Sequence, residues 1–351
     1  MKRLLLSAAL LLSAGVAQAA PIPVKVVVVA NWENGADTGD APGEFQDWVE
    51  REHLDEKVPV RGAPDVVRRN KDGLYGLVLR HGVTDLAAFV LDPRFDLTHT
   101  YWLFTGISGV DPRVASVGSA SWARWVVDGD EAREIDDRTV PAGWPYGLWA
   151  IGATRPNQLP YDANHFGSVT DMKQLDRAYP LNRRLARWAF ELTRNVRLGD
   201  DDAVRKARAR WTGFPEAQKP PFVLEGETLG ALRYWHGEPR TQWARDWVSL
   251  WTRGQGRFVM TNMESQTYQK EMRAFAAQGF VDPDRIMVLR TASNFSEPPP
   301  GVAVTASIGD EGPGQVLAFD SNQRAGAPVL HELLAHWDRY RDHIPGRDDT
   351  P

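Results

Sequence analysis

The chain has 351 residues, of which 42% are hydrophobic and 25% are charged, as in an ordinary globular protein with a large core. Its formal net charge of -5 argues against a nucleic-acid binder, which would carry a basic face, and against binding to an anionic membrane surface. Cysteine is absent, so the sequence excludes disulfides, thiolate metal sites and cysteine nucleophiles.

The N-terminal segment, residues 1–20, has the pattern of a signal peptide. A positively charged start precedes a short apolar run over residues 4–12, and residues 17–19 form a small-x-small cleavage site, which predicts cleavage after Ala19 or Ala20. A membrane anchor is the alternative, but polar and small residues interrupt the run, and a spanning helix needs about 20 consecutive apolar residues. We therefore expect a periplasmic or secreted protein with no part inserted in a membrane.

The mature chain, residues 21–351, alternates short apolar segments with amphipathic ones, and a Gly- and Asp-rich loop over residues 31–44 follows the first strand. Length and β-branched content predict strands at residues 24–30, 74–79, 101–105, 222–224, 257–261 and 286–291. Helical patterns predict helices at residues 85–91, 180–196, 240–252, 271–278 and 329–340. The alternation favours a mainly parallel α/β sheet, and the lack of a long linker favours a single domain.

The histidine pair in the last predicted helix lacks the spacing of a zinc site. His331 and His336 are five residues apart, which places them about 140° apart around a helix, whereas a zinc-peptidase helix uses a four-residue spacing. The sequence also carries no nucleophile elbow, P-loop or dinucleotide fingerprint in a strand-turn-helix setting. We therefore expect neither a metal ion nor an organic cofactor.

Polar and glycine residues follow three of the predicted strands. They are Gly106, Ile107, Ser108 and Gly109 in a predicted turn, then Asn262, Met263, Glu264 and Ser265, and finally Ser293 and Asn294. Ligand sites of open α/β sheets lie at such carboxyl ends. Taken singly, each group also has a structural explanation, because glycines serve tight turns, a carboxylate stabilises a helix start and an amide suits a turn.

Taken together, several segments resemble the purine nucleoside permease family, and the resemblance covers most of the mature chain. The segments are residues 95–102, 106–109, 117–119, 134–136, 260–264 and 289–301. That family in turn is similar to the nucleoside phosphorylase superfamily. The resemblance implies an α/β fold, with a single three-layer α/β/α domain around a mixed, barrel-like sheet.

The resemblance also implies residues for the sugar and for the nucleophile. Met263 matches a methionine that packs against the ribose, and Glu264 matches a glutamate that accepts hydrogen bonds from the ribose hydroxyls. Such a carboxylate orients the sugar and stabilises the positive charge that develops as the N-glycosidic bond breaks. The other residues expected to bind substrate on this side are Asn262, Gly106, Ser108 and Gly109, of which Ser108 and Gly109 line the nucleophile side.

For the base, the resemblance assigns Asn294 to purine N7 and the 6-substituent, with 6-oxopurines as the first expectation. Tyr234 is the expected stacking residue and Trp235 the second choice, although core aromatics beside a strand explain both equally well. Arg290 is expected to support Asn294 from the strand. Catalysis is thus predicted to rest on Glu264 and Asn294.

One departure from the superfamily pattern bears on the nucleophile. Phosphorylases carry a phosphate-binding hydroxyl at the second place of the turn, where this sequence has Ile107, and the glycine-rich loop is curtailed at residues 81–84. No arginine is evident at the turn to pair with phosphate. We therefore expect an exported purine nucleoside-cleaving enzyme that uses water more readily than phosphate.

Two alternatives remain open. The first is a non-catalytic nucleoside-binding component that passes purines to a separate membrane transporter, and the second is an inactivated relative with only a structural role. A homo-oligomer also remains open, because neighbouring subunits complete the site in many members of the superfamily.

Overall fold

The computed structural model describes residues 19–64, 66–153, 155, 157–159, 176–309 and 312–346. The expected signal peptide lies outside the described residues except for its last two, Ala19 and Ala20. The domain boundary expected after it stays a prediction.

The described part contains sixteen strands and eight α-helices. The first nine strands are β1 (Ile22–Pro23), β2 (Val26–Ala30), β3 (Glu56–Lys57), β4 (Val67–Arg69), β5 (Leu74–Val78), β6 (Phe95–Asp96), β7 (Tyr101–Val110), β8 (Ala120–Trp122) and β9 (Trp125–Asp128). The other strands are β10 (Ala132–Glu134), β11 (Leu148–Ala150), β12 (Ala178–Pro180), β13 (Val223–Glu225), β14 (Glu227–Gly230), β15 (Phe258–Asn262) and β16 (Ile286–Phe295). The helices are α1 (Gln46–Arg51), α2 (Val83–Val90), α3 (Arg183–Thr193), α4 (Asp202–Arg208), α5 (Glu238–Trp251), α6 (Ser265–Ala277), α7 (Gly314–Ala335) and α8 (Trp337–Tyr340).

The main sheet has twelve strands and closes on itself. Strand β7 pairs with β16, β16 with β8, and β8 with β13. Strand β13 is followed by β14 across Gly226, β14 pairs with β15, and β15 pairs with the last residues of β7. This ring of strands confirms the predicted barrel-like sheet.

Helices cover both faces of the sheet. On β7, Phe104 stacks on Tyr268 of α6 with ring centroids 6.0 Å apart, and Leu103 contacts α7, where a Cβ at Gly326 would lie 3.0 Å from its Cδ2. Because successive strand residues point to opposite faces, α6 and α7 lie on opposite sides of the sheet. The valines of β2 are fully buried between these layers, as expected for a strand covered on both faces. The three-layer α/β prediction is therefore confirmed.

Three details differ from the sequence predictions. Residues 106–109, predicted as a turn, and residues 293–294, predicted to follow the end of a strand, continue β7 and β16, because these two strands pair in parallel from Trp102 and Ile286 to their last residues. The sheet is mixed rather than mainly parallel, since pairs such as β7–β15 and β8–β16 are antiparallel. Helix α7 begins fifteen residues before the predicted helix and contains Pro328 in its interior.

Within the described residues, no helix has both the length and the apolar character needed to cross a membrane.

Candidate functional site

A cavity of about 220 Å³ opens where β7 exchanges one neighbouring strand for another. The first part of β7 pairs with β2 as far as Phe104, and its end pairs with β15 from Gly109 onward. Between these points the backbone of β7 faces side chains instead of a strand on that edge. Divergence of neighbouring strands is the usual origin of a ligand crevice in α/β folds.

The structure brings most of the predicted site residues together in this main cavity. Its lining contains Ser108, Gly109, Tyr234, Trp235, Asn262, Met263, Glu264 and Asn294. It also contains Trp32, Glu44, Ile107, Arg233, Thr261, Ser293, Ser296 and Gln315. Among the predicted residues, Gly106 lies behind the lining, and the side chain of Asn262 caps the start of α6 by accepting from the backbone N–H groups of Glu264 and Ser265.

Glu44 is the central residue that the sequence prediction missed. Its Oε1 accepts a hydrogen bond from the backbone N–H of Ile107 at 2.7 Å, and its Oε2 accepts from the backbone N–H and the Nδ2 of Asn31 at 2.9 and 2.6 Å. Only 2% of the residue is exposed, yet it lines the cavity. These bonds hold the carboxyl group beside the unpaired stretch of β7.

A second glutamate fixes the loop that carries Glu44. Glu33 Oε2 accepts from the backbone N–H groups of Phe45 and Gln46 at 2.7 and 2.5 Å, and Glu33 also bonds the N–H groups of Asn34 and Gly43. Four bonds to one carboxylate close the loop between β2 and α1 on both sides of Glu44. The loop predicted from its glycine and aspartate content is therefore an ordered support for the site.

Burial raises the pKa of Glu44 to about 7. Desolvation is the main cause, because a charged carboxylate loses water in a buried site. The nearby Arg290 lowers the pKa and the nearby Glu264 raises it. The group can therefore exchange a proton near neutral pH, which suits it to act as a general base or acid.

Arg290 connects Glu44 to the rest of the site. Its guanidinium donates to Ser108 Oγ at 3.2 Å, to the carbonyl of Ile107 at 2.9 Å and to Glu264 Oε2 at 3.2 Å. The arginine is 2% exposed and comes from β16, so its aliphatic part is fixed in the core. The predicted support for Asn294 thus goes instead to Ser108 and Glu264.

Gly106 allows this convergence. A Cβ at this position would lie 2.2 Å from Asn31 Nδ2, 2.5 Å from Arg290 Nη1 and 2.7 Å from Glu44 Oε1. These distances are too short for any side chain. A residue predicted to bind substrate therefore acts by leaving space for the groups behind the cavity.

The other end of the cavity carries an amide and aromatic side chains. Asn294 Nδ2 donates to the Tyr234 hydroxyl at 3.1 Å and to the carbonyl of Phe295 at 3.2 Å, while its Oδ1 accepts from Ser293 Oγ at 2.9 Å. Tyr234 is 41% exposed and can lie against a flat ligand. Trp235 is 8% exposed and packs edge-on against Trp243, so most of its surface belongs to the core.

The two ends of the cavity therefore differ in the charge of their side chains. Glu44 and Glu264 line one end, with Arg290 behind the lining and bonded to Glu264, and Asn294 and Tyr234 line the other. The lining also contains the exposed Met263 and Arg233, whose charge is paired with Asp130. Within the described residues, no group of three or more histidine, aspartate or glutamate side chains has a geometry that could hold a metal ion. The arrangement suits an uncharged ligand with hydroxyl groups at one end and a flat ring at the other.

Two known proteins are similar to this chain in sequence. The chain is 27% identical over 261 residues to a probable purine nucleoside permease of Schizosaccharomyces pombe, and the aligned region covers 73% of each protein. It is 28% identical over 264 residues to a purine nucleoside permease of Candida albicans, covering 74% of this chain but only 62% of that longer protein.

Among solved structures, a 5'-methylthioadenosine/S-adenosylhomocysteine nucleosidase from S. pneumoniae with a transition-state inhibitor aligns with a TM-score of 0.50. The alignment covers 88% of this chain and 100% of that chain at 14% identity, a likeness that concerns the fold alone. The sequence model of the purine nucleoside permease (NUP) family matches residues 23–345. Because that match extends over most of the chain, the protein belongs to the purine nucleoside permease family.

Proposed function

We propose that this protein is an exported nucleosidase that binds a purine nucleoside in the main cavity and hydrolyses its N-glycosidic bond. One observation carries the proposal: Glu44 is a buried carboxyl group with a pKa near 7 that faces the same cavity as Glu264. The names of the relatives in Schizosaccharomyces pombe and Candida albicans support a purine nucleoside as ligand.

The ribose is proposed to lie at the charged end. Glu264 accepts hydrogen bonds from the ribose hydroxyls, and Arg290 at 3.2 Å orients its carboxylate. Met263 contacts the sugar from the solvent side. Breaking the bond places positive charge on the ribose ring, and a fixed carboxylate near that charge stabilises the transition state.

Water is the proposed nucleophile. Ionised Glu44 accepts a proton from a water molecule, whose oxygen bonds to C1' of the ribose as the bond from C1' to the base nitrogen breaks. The bonding electron pair leaves with the purine, which takes up a proton from solvent, and Glu44 releases the proton it accepted to solvent. Ser108, held by Arg290, lies on the same side and can orient the water.

The departing base is proposed to lie at the amide end. Asn294 and the Tyr234 hydroxyl, 3.1 Å apart, form a polar edge that can hydrogen-bond a purine as negative charge develops on it. The tyrosine ring offers a stacking surface. Such polar groups are most effective when their positions are fixed before the reaction, as the bond from Ser293 to Asn294 and the bond from Asn294 to Phe295 provide.

Two features favour water over phosphate. The backbone N–H of Ile107 already donates to Glu44, so it is not available to an anion, and Ile107 has no hydroxyl to offer. Glu44 and Glu264 also line this end of the cavity, and because Arg290 compensates only one of the two carboxylates, their net charge repels a phosphate dianion.

Product analysis tests this proposal. The purified protein is incubated with a panel of purine nucleosides, with and without phosphate, and the products are separated. Free base with ribose in both conditions supports hydrolysis, whereas ribose 1-phosphate formed only with phosphate contradicts it. Binding without release of base favours the second candidate, a nucleoside-binding component of transport, which the permease names of the relatives favour.

Export is a separate part of the proposal and rests on the signal-peptide pattern of residues 1–20. The N-terminal sequence of the protein recovered from culture medium or periplasm should begin after Ala19 or Ala20. Recovery of the uncleaved chain from the cytoplasm alone would contradict it.

A further inference from the structure

A second cavity of about 160 Å³ adjoins the main cavity behind Asn294. We call it the side cavity, and its apolar lining consists of Val117, Val204, Ala207, Trp211, Phe295 and Pro299. None of the proposed catalytic steps takes place in it.

Three segments of the chain line both cavities. Ser293 and Asn294 belong to both linings; Tyr234 and Trp235 line the main cavity while His236 lines the side cavity. The start of α7 contributes in the same way, since Gln315 faces the main cavity and Gly314 the side cavity. The side cavity is therefore adjacent to the base end of the main cavity, and its lining contains neither Glu44 nor Glu264.

The walls of the side cavity suit an apolar group. Trp211 and Phe295 are in contact with ring centroids 4.1 Å apart, and Val204 is buried. The positive charge of Arg208 is compensated by Asp200, and Arg210, which also lines the cavity, is exposed to solvent. An apolar cavity of roughly 150 Å³ is known to accept a benzene ring, so the space is sufficient for a group of that size.

Two polar side chains of the shared segments offer hydrogen-bond acceptors to the side cavity. Ser307 Oγ lies 3.3 Å from the carbonyl of Val304 and 2.9 Å from His236 Nε2; when the ring carries its proton on Nε2 and donates it to Ser307, Nδ1 is an acceptor. This Nδ1 is buried, has no hydrogen-bond partner among the described residues, and burial lowers the pKa of His236, so the ring stays neutral. The second acceptor is Asn294 Oδ1. It accepts a hydrogen bond from Ser293 with one lone pair and has a second lone pair for a ligand.

We propose that the side cavity receives an apolar substituent on the 6-amino group of a purine base, so that the site takes 6-alkylamino- or 6-arylalkylamino-purine nucleosides. Asn294 Oδ1 and His236 Nδ1 can accept from the N–H of such an amine, and the apolar walls then receive its substituent. This inference rests on the proposed binding of a purine nucleoside in the main cavity.

The test compares adenosine with N6-benzyladenosine. Dissociation constants come from calorimetry and release of base from chromatography, for the wild-type protein, Ala207→Phe and Ala203→Phe. Ala207 lines the side cavity, whereas Ala203 lies on the same helix, α4, and is exposed, so the second variant is a matched control. Ala207→Leu, a smaller change, serves as a second variant if Ala207→Phe unfolds.

We expect the wild-type protein and Ala203→Phe to bind N6-benzyladenosine at least about tenfold more tightly than adenosine. Ala207→Phe should lose this preference, and Ala207→Leu should lose part of it. A wild-type preference for adenosine, or equal weakening of both ligands by Ala207→Phe, would overturn the proposal.

The same data separate this inference from the proposed function. Tight binding of N6-benzyladenosine without release of base leaves the side cavity as proposed and removes hydrolysis. Release of adenine from adenosine without binding of the benzyl compound has the opposite meaning. Absence of binding by either nucleoside overturns both.

Discussion

Replacement of Glu44 by glutamine should remove the general base and with it the pH dependence of the reaction. With a pKa near 7, the ionised fraction of Glu44 rises about tenfold between pH 6 and pH 8. The raised pKa places the active, ionised form above pH 7, so activity should fall as the pH decreases through that value. Loss of a general base typically lowers the rate by about 10² to 10⁴.

The assay measures kcat/KM for release of base from a purine nucleoside between pH 5 and pH 9, because this parameter reports ionisations of the free enzyme. The wild-type value should rise about tenfold from pH 6 to pH 8, whereas Glu44→Gln should be low and flat across this range. Glu44→Asp keeps a carboxylate and serves as the control, with a reduced rate that still depends on pH. A fully active Glu44→Gln would refute the reasoning.

Four further predictions concern the groups around Glu44. Arg290→Gln should move the midpoint of the pH profile above that of the wild type, since the guanidinium favours ionised Glu44. Arg290→Lys keeps a positive charge and should leave the midpoint closer to the wild-type value, whereas an unchanged midpoint in Arg290→Gln would contradict the coupling. Glu264→Gln should still bind the nucleoside in calorimetry yet lose most turnover, and unchanged release of base would remove Glu264 from the mechanism. Gly106→Ala should destabilise the protein by about 1 to 3 kcal/mol in denaturant unfolding, because its Cβ would lie within 2.7 Å of three polar atoms. Gly213→Ala is the control, since its φ of +86° also strains an alanine but its Cβ meets no atom within 4 Å; it should destabilise clearly less, and equal effects would contradict the packing argument. From pH 5 to pH 8, the unfolding free energy of the wild type should decrease by about 2 to 3 kcal/mol relative to that of Glu44→Gln. The reason is that the pKa of Glu44 in the folded protein lies above its ordinary value, so the stabilisation present at low pH is lost as the pH rises. Parallel pH curves for the two proteins would contradict this.

Local patterns predicted the parts of the fold that depend on neighbouring residues. The valine run of β2 identifies a strand buried on both faces. The residues that follow β15 line the cavity, as their position at the end of a strand predicts. Glycines at 106 and 109 misled the prediction, because glycine usually marks a turn. Here the strand continues, since β16 pairs with it and the glycines admit Glu44, Arg290 and Asn294 at close range.

Glu44 could not be found in the same way, because its environment comes from distant parts of the chain. Its partner Ile107 is 63 residues away, and the charge of Arg290 reaches it from the last strand of the sheet. Only its position, in a loop that follows the first buried strand, was available as a signal. The role of Arg290 was hidden for the same reason, since strand pairing alone brings it beside Ser108.

The most direct test of the central claim is the origin of the oxygen that is added to the ribose. The protein is incubated with a purine nucleoside in water enriched in ¹⁸O, with phosphate present, and the sugar product is analysed at once by mass spectrometry. Hydrolysis predicts free ribose that has gained one ¹⁸O atom, together with free base. Ribose 1-phosphate, or no release of base from a bound nucleoside, would contradict it.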